Sequence, residues 1–203
     1  MISQLADALL FCHEKKVVHR DVKLQNVLVD HNYHIKLIDF GLSAVCNKVE
    51  EMEKLDRLCG SPFYVPPELY DGHYDGTKTD VWSLGILLYV LTAKKFPYDN
   101  KERDLLKLAN SVKRDPFEMP ICSDELKDVL RRMLEKNPAK RVSLEELKRH
   151  PWFSQKQKRG TPDIGRVSEK ISKMDFKHRS NIHLSAQHTY QFATTNVPPT
   201  SIY

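Results

Sequence analysis

The stretch V-H-R-D-V-K-L-Q-N-V-L-V-D, Val18 to Asp30, decides how the rest of the chain is read. It sets His19, Arg20, Asp21, Lys23 and Asn26 within eight residues, between the β-branched runs Val17-Val18 and Val27-Leu28-Val29. So dense a polar cluster is wrong for a core element and right for a loop held between two strands. A carboxylate can take a proton from a hydroxyl, a lysine two residues on can neutralise a phosphate, and a carboxamide oxygen can ligate a hard cation. Thirteen residues after Asn26, beyond the apolar run Ile35 to Ile38, stands a second carboxylate in Asp39-Phe40-Gly41. A strand, the turn Asp30 to His34 and a returning strand would bring Asn26 and Asp39 to one end of a hairpin. A base for an attacking hydroxyl, ligands for a metal and a cation for phosphate charge make up the set that phosphoryl transfer needs.

Working outward, Ile2, Leu5, Leu9 and Cys12 recur at three- and four-residue steps and predict an amphipathic helix before the loop. The chain has 203 residues, 40% of them apolar, enough for one domain with a core. Its net charge of +5 is local: residues 154–203 hold eight Lys/Arg against three Asp/Glu, leaving 24 of each sign in residues 1–153. A neutral body argues against nucleic-acid binding, and the tail, rich in Ser, Thr, Gln, Lys and Pro, reads as disordered or loosely docked. The four cysteines show no C-x-x-C spacing and, with no basic apolar leader at Met1 to Cys12, read as free thiols in the cytoplasm or nucleus. The longest apolar stretch, Val81 to Leu91, is shorter than the roughly 20 residues a membrane needs. It is apolar on every side and predicts a buried central helix, with Thr79 or Asp80 as its N-cap.

The ordered pair H-R-D-x-K-x-x-N and D-F-G, joined by strand-turn-strand, resembles the catalytic half of a eukaryotic serine/threonine protein kinase. The order L-x-x-M-L-x-x-x-P-x-x-R-x-S through H-P-W-F is most similar to the calcium/calmodulin-dependent and Snf1/AMPK-like branch. The resemblance implies a mainly α fold, a kinase C-terminal lobe built around a buried helix with a small β-hairpin, over residues 1 to about 153. It further implies Asp21 as catalytic base, Lys23 on the transferred phosphate, Asn26 and Asp39 on magnesium, and Leu28 beneath the adenine of ATP. His19, Phe40 and Gly41 would support the metal-binding turn, Asp80 the catalytic loop, and Ser61 the Asp21–Lys23 pair. Glu68 of Pro66-Pro67-Glu68 would pair with Arg141. Pro66 replaces the family's usual alanine, and Arg57 stands where relatives carry a phosphorylated threonine. No Ser, Thr or Tyr lies between Ser43 and Ser61, so the acids Glu50, Glu51, Glu53 and Asp56 either face Arg20 in place of a phosphate or form a solvated loop face. Gln25 and Val90 stand where basophilic relatives carry acids for substrate arginine, so basic selectivity is not expected.

The seven glycines form no G-x-G-x-x-G, and no V-A-I-K-like strand precedes the first helix. Residues 1–203 therefore resemble a kinase without its N-terminal lobe, expected to bind MgATP weakly and to phosphorylate protein substrates little by themselves. A truncated product or isoform and a catalytically dead interaction module are the alternatives, and the uncovered ledge at Leu28, Phe40 and the first helix is expected to favour self-association. A glycosidase-like pair of Asp21 and Asp39 would leave Lys23, Asn26, Gly41 and the P-P-E segment unexplained.

Overall fold

The apolar stripe at the start becomes α1 (Ile2–Glu14), burying Ile2, Leu5, Ala6 and Leu9 while Cys12 is only half-buried. The computed structural model describes residues 1–98 and 104–154. After α1, β1 (Val17–Val18) pairs antiparallel with β4 (Ala44–Val45), and β2 (Val27–Val29) pairs with β3 (Ile35–Leu37) in the register Val27↔Leu37 and Val29↔Ile35. Such short two-stranded ribbons are not stable alone. Each rests on helices, β1 against α1 and α3 and β3 against α1.

The centre is α3 (Gly76–Ala93), with thirteen of its eighteen residues buried. Its N-cap is Asp75, whose carboxylate accepts from the Thr77 and Lys78 backbone N–H groups, and neither Thr79 nor Asp80 caps it. Both lie inside the helix because the polar turn Gly76 to Lys78, which shows no apolar periodicity, is already helical. Val90 is 2% exposed in this helix, so it meets core rather than substrate. Gly85 lets α5 approach, since a Cβ there would lie 2.9 Å from the Met133 Cβ.

The later helices follow their start signals. Asp104 caps α4 (Leu105–Arg114), Ser123 caps α5 (Asp124–Met133), and Ser143 with Glu146 closes a capping box on α6 (Leu144–Arg149). A short α2 (Val49–Met52) lies within the polar segment after β4, and α7 (Pro151–Ser154) ends the described chain. Ser154, expected in the tail, thus belongs to a helix, and the rest of that tail lies outside the described residues. The described residues are mainly helical with two small sheets, and none of their helices is long and apolar enough to cross a membrane.

Candidate active site

Asp80 brings the loop into shape. Fully buried in α3, its Oδ1 accepts from the Arg20 backbone N–H at 2.8 Å, and its Oδ2 from that of His19 at 2.9 Å. The His13 ring, in the last turn of α1, reaches the same Oδ2 at 2.8 Å. Three donors on one buried carboxylate hold Arg20 at φ +65°, a conformation that costs a non-glycine residue on the order of 1–3 kcal/mol. The consequence is that Asp21 next along is presented at a fixed angle.

Around Asp21, itself 4% exposed, donors converge. Lys23 Nζ lies 2.6 Å from Oδ2, the Ser61 hydroxyl donates to Oδ1 at 2.8 Å, and Lys23 also donates to Ser61 at 3.0 Å. The Asn26 amide donates to the Asp21 carbonyl at 2.9 Å and to Oδ2 at 3.1 Å, which leaves the Asn26 carbonyl oxygen available to a cation. Ser61 comes from a distant segment that approaches closely at Gly60. There φ is +109°, and a Cβ would sit 2.8 Å from the Arg20 carbonyl oxygen, so only glycine fits.

The β2–β3 hairpin continues one bond past its strands, the Ile38 N–H donating to the Asn26 carbonyl at 2.9 Å. Asp39 follows at φ +64°, exposed, and its Oδ1 accepts from the Gly41 N–H at 3.3 Å. A Cβ on residue 41 would press to 3.1 Å from that same oxygen. Phe40 packs against the His19 ring with centroids 4.8 Å apart, and His19 Nε2 bonds the Ile38 carbonyl at 3.1 Å. Leu28 and Phe40 are 51% and 43% exposed, and Phe11 on α1 is 60% exposed.

Farther out, Arg141 donates from Nη1 to Glu68 Oε1 at 2.5 Å and from Nη2 to Oε2 at 2.9 Å, both side chains being buried. Ser83 on α3 donates to the Tyr64 carbonyl at 2.8 Å. The segment from Ser61 to Glu68 is therefore fastened at both ends.

Of the two readings of the acids near Arg20, the structure favours the solvated face. Glu50, Glu51, Glu53 and Asp56 are all exposed, and among the described residues no carboxylate pairs with Arg20. Its Nε donates to the Leu42 carbonyl at 2.6 Å and its Nη2 to that of Ser43 at 3.4 Å, and the Tyr74 hydroxyl is its side-chain partner. Carbonyl dipoles solvate the cation, while α2 turns its acids to water and buries Met52 against Val18 and Cys46. Burial pushes the Tyr74 hydroxyl up to about 12 and raises the Cys59 thiol, which neighbouring Arg20 opposes. Tyr74 and His13 were missed because each meets its partner across the fold, Tyr74 donating to the Arg57 carbonyl at 2.7 Å, and no local spacing announces such pairs.

With this geometry in place, comparison with known proteins is specific. The family description "Protein kinase domain" matches residues 1–153. The chain is 42% identical over 166 residues to CBL-interacting protein kinase 1 of Oryza sativa subsp. japonica, covering 81% of this chain and 35% of that protein. It is 43% identical over 155 residues to CBL-interacting serine/threonine-protein kinase 17 of Arabidopsis thaliana, covering 75% and 35%. A probable serine/threonine-protein kinase of Dictyostelium discoideum is 41% identical over 152 residues, 74% of this chain and 18% of that one. The chain spans about a third or less of the length of these curated relatives. Catalytic-loop order and family match agree: the chain belongs to the protein kinase family, and the relatives it is similar to are named as protein kinases, two of them as serine/threonine-protein kinases.

Proposed function

We propose that residues 1–153 are the C-terminal, catalytic lobe of a serine/threonine kinase that moves the ATP γ-phosphoryl group to protein hydroxyls. One observation supports this most: the buried junction of Asp21, Lys23, Asn26 and Ser61 at the hairpin end that carries Asp39. A carboxylate offers roughly four acceptor sites, and three donors occupy Asp21, leaving one for a substrate hydroxyl and its proton. Lys23, held between Asp21 and Ser61, places a cation where the transferred group's charge needs one. The Asn26 side-chain oxygen Oδ1 and the exposed Asp39 carboxylate are hard oxygen donors that suit magnesium, and these two residues would hold it. A magnesium ion there supplies neutralisation of phosphate charge. Leu28, half exposed beside them, offers an apolar floor for the adenine. The four free cysteines support a reducing compartment, cytoplasm or nucleus.

The 203 residues hold no glycine-rich phosphate loop, and a general base alone is worth only about 10² to 10⁴ in rate. The chain by itself is therefore expected to transfer little phosphate. The test joins it to the glycine-rich and lysine-bearing segment of a relative and supplies labelled ATP, magnesium and mixed peptides. Label should appear on Ser and Thr but not Tyr, and should vanish with Asp21→Asn. Undiminished transfer by Asp21→Asn would sink the assignment. A second reading, an interaction module, draws support from the exposed Phe11, Leu28 and Phe40. Light scattering that finds a monomer at high concentration would remove self-association through that ledge.

A further inference from the structure

Away from the phosphotransfer residues, α5 and α6 enclose a cleft of about 430 Å³. Arg132, Lys140 and Arg149 line it with Glu146 and His150, and the buried Val142 and Leu147 form an apolar floor. We propose that this cleft docks an acidic peptide segment of another protein, one with clustered carboxylate or phosphoryl groups.

Three cations face one acid, and Glu146 is turned towards the start of its helix, its Oε2 accepting from the Ser143 backbone N–H at 2.9 Å. Nearby Asp128 is engaged too, accepting from Arg132 Nε at 2.8 Å and His150 Nε2 at 2.9 Å. Arg149 uses only Nε, on the Glu145 carbonyl at 3.2 Å. Among the described residues, the Lys140 ammonium makes no hydrogen bond or ion pair, and the terminal nitrogens of Arg132 and Arg149 make no hydrogen bond, Arg132 pairing with Asp128 through Nε alone. In a body with equal numbers of both charges, such a concentration is local rather than general. Planar guanidinium groups present paired donors that match carboxylate and phosphate oxygens.

The walls are also fixed before any ligand arrives, which lowers the ordering cost of binding. The Val142 N–H donates to the Arg132 carbonyl at 3.3 Å, the Lys140 and Arg141 N–H groups both donate to the Asn137 carbonyl at 3.0 Å, and Arg141 is locked on Glu68. An occupant from the chain's own tail is disfavoured, because residues 154–203 carry eight cationic side chains against three acidic ones. Nucleic acid asks for an extended basic stripe, whereas here the cations ring a single small cleft with an apolar floor.

The experiment measures fluorescence anisotropy of labelled peptides on the full chain: one glutamate-rich, one with clustered phosphoserines, and one neutral glutamine analogue. Salt-sensitive binding of an acidic peptide, and none of the neutral one, is expected. The double variant Lys140→Gln/Arg149→Gln should weaken it about tenfold, two exposed charge contacts together, with an unchanged melting temperature. Tail neutralisation, Lys156→Gln/Lys158→Gln/Arg159→Gln, should leave affinity as it was. Tighter binding of the phosphoserine peptide assigns phosphoryl recognition, and equal binding assigns charge alone. The proposal fails if neither acidic peptide binds, if the double variant binds as well as the parent, if the tail variant is the one that loses binding, or if a single-stranded oligonucleotide binds equally well.

Discussion

Removing Arg141 should cost more stability than any other single change outside the apolar core. Its guanidinium makes two bonds to Glu68 and further ones to the carbonyls of Lys78, Glu135 and Lys136, and lies 4.9 Å from the Trp82 ring centroid. Arg141→Met keeps most of the volume but strands the buried Glu68 carboxylate without a cation. Breaking a buried pair in this way costs about 3 to 5 kcal/mol, against a total stability of about 5 to 15 kcal/mol for a domain. Urea unfolding followed by tryptophan fluorescence would read the loss directly. Glu68→Gln should relieve most of it, so the double variant Glu68→Gln/Arg141→Met should be more stable than the two separate losses imply, by at least about 1 kcal/mol. Arg141→Lys should recover only part, because an ammonium cannot make the paired contact. A cost for Arg141→Met below about 1 kcal/mol, the range of exposed pairs, would refute the claim that this pair fastens the segment before α3. Simple additivity of the two changes would refute it equally.

Three further outcomes are expected. Asp80→Asn sets an amide against one of the two backbone donors, at a cost of about 1 to 3 kcal/mol, and the His19 and Arg20 amides should exchange with solvent about tenfold faster or more; unchanged protection would contradict the role given to Asp80. Gly85→Ala should destabilise by about 1 to 3 kcal/mol, crowding against Met133 and Leu134 outweighing the gain in helix propensity, and a variant more stable than the parent would show that α5 can yield. Tyr74 titrates near 10 when unfolded and near 12 when folded, so its contribution is intact below pH 10 and is lost as pH rises from about 10 towards 12; Tyr74→Phe should flatten that part of a stability-against-pH curve, and superimposable curves would rule it out.

Elements with local signatures were readable from the chain alone. The stripe of α1, the hairpin around Asp30 to His34, the capping box at Ser143 and the all-apolar α3 each follow from spacing within a few turns. So does the placing of Asn26 and Asp39 at one hairpin end, since strand pairing has a fixed period. What stayed hidden depends on distance. β4 is two residues long and pairs with β1 across 25 intervening positions, too little sequence to carry a strand signal. The start of α3 is not legible because Gly76 and Thr77 are weak helix formers held by Asp75 from outside, and Lys78 adds no apolar periodicity. Charge alone cannot decide whether the acids of 50–56 face Arg20 or solvent, because the partners that serve that cation, backbone carbonyls and a tyrosine hydroxyl, come from elsewhere in the fold.

The clamp at Asp80 has a consequence for how the molecule is made. It lies 60 residues downstream of the Arg20 amide it holds, so a chain emerging from the ribosome exposes Asp21 long before anything can shape the turn that carries it. Posture and completion are thereby joined: an unfinished or misassembled molecule possesses the carboxylate but not its orientation, and a lesion that shifts the central rod reaches Asp21 through Asp80.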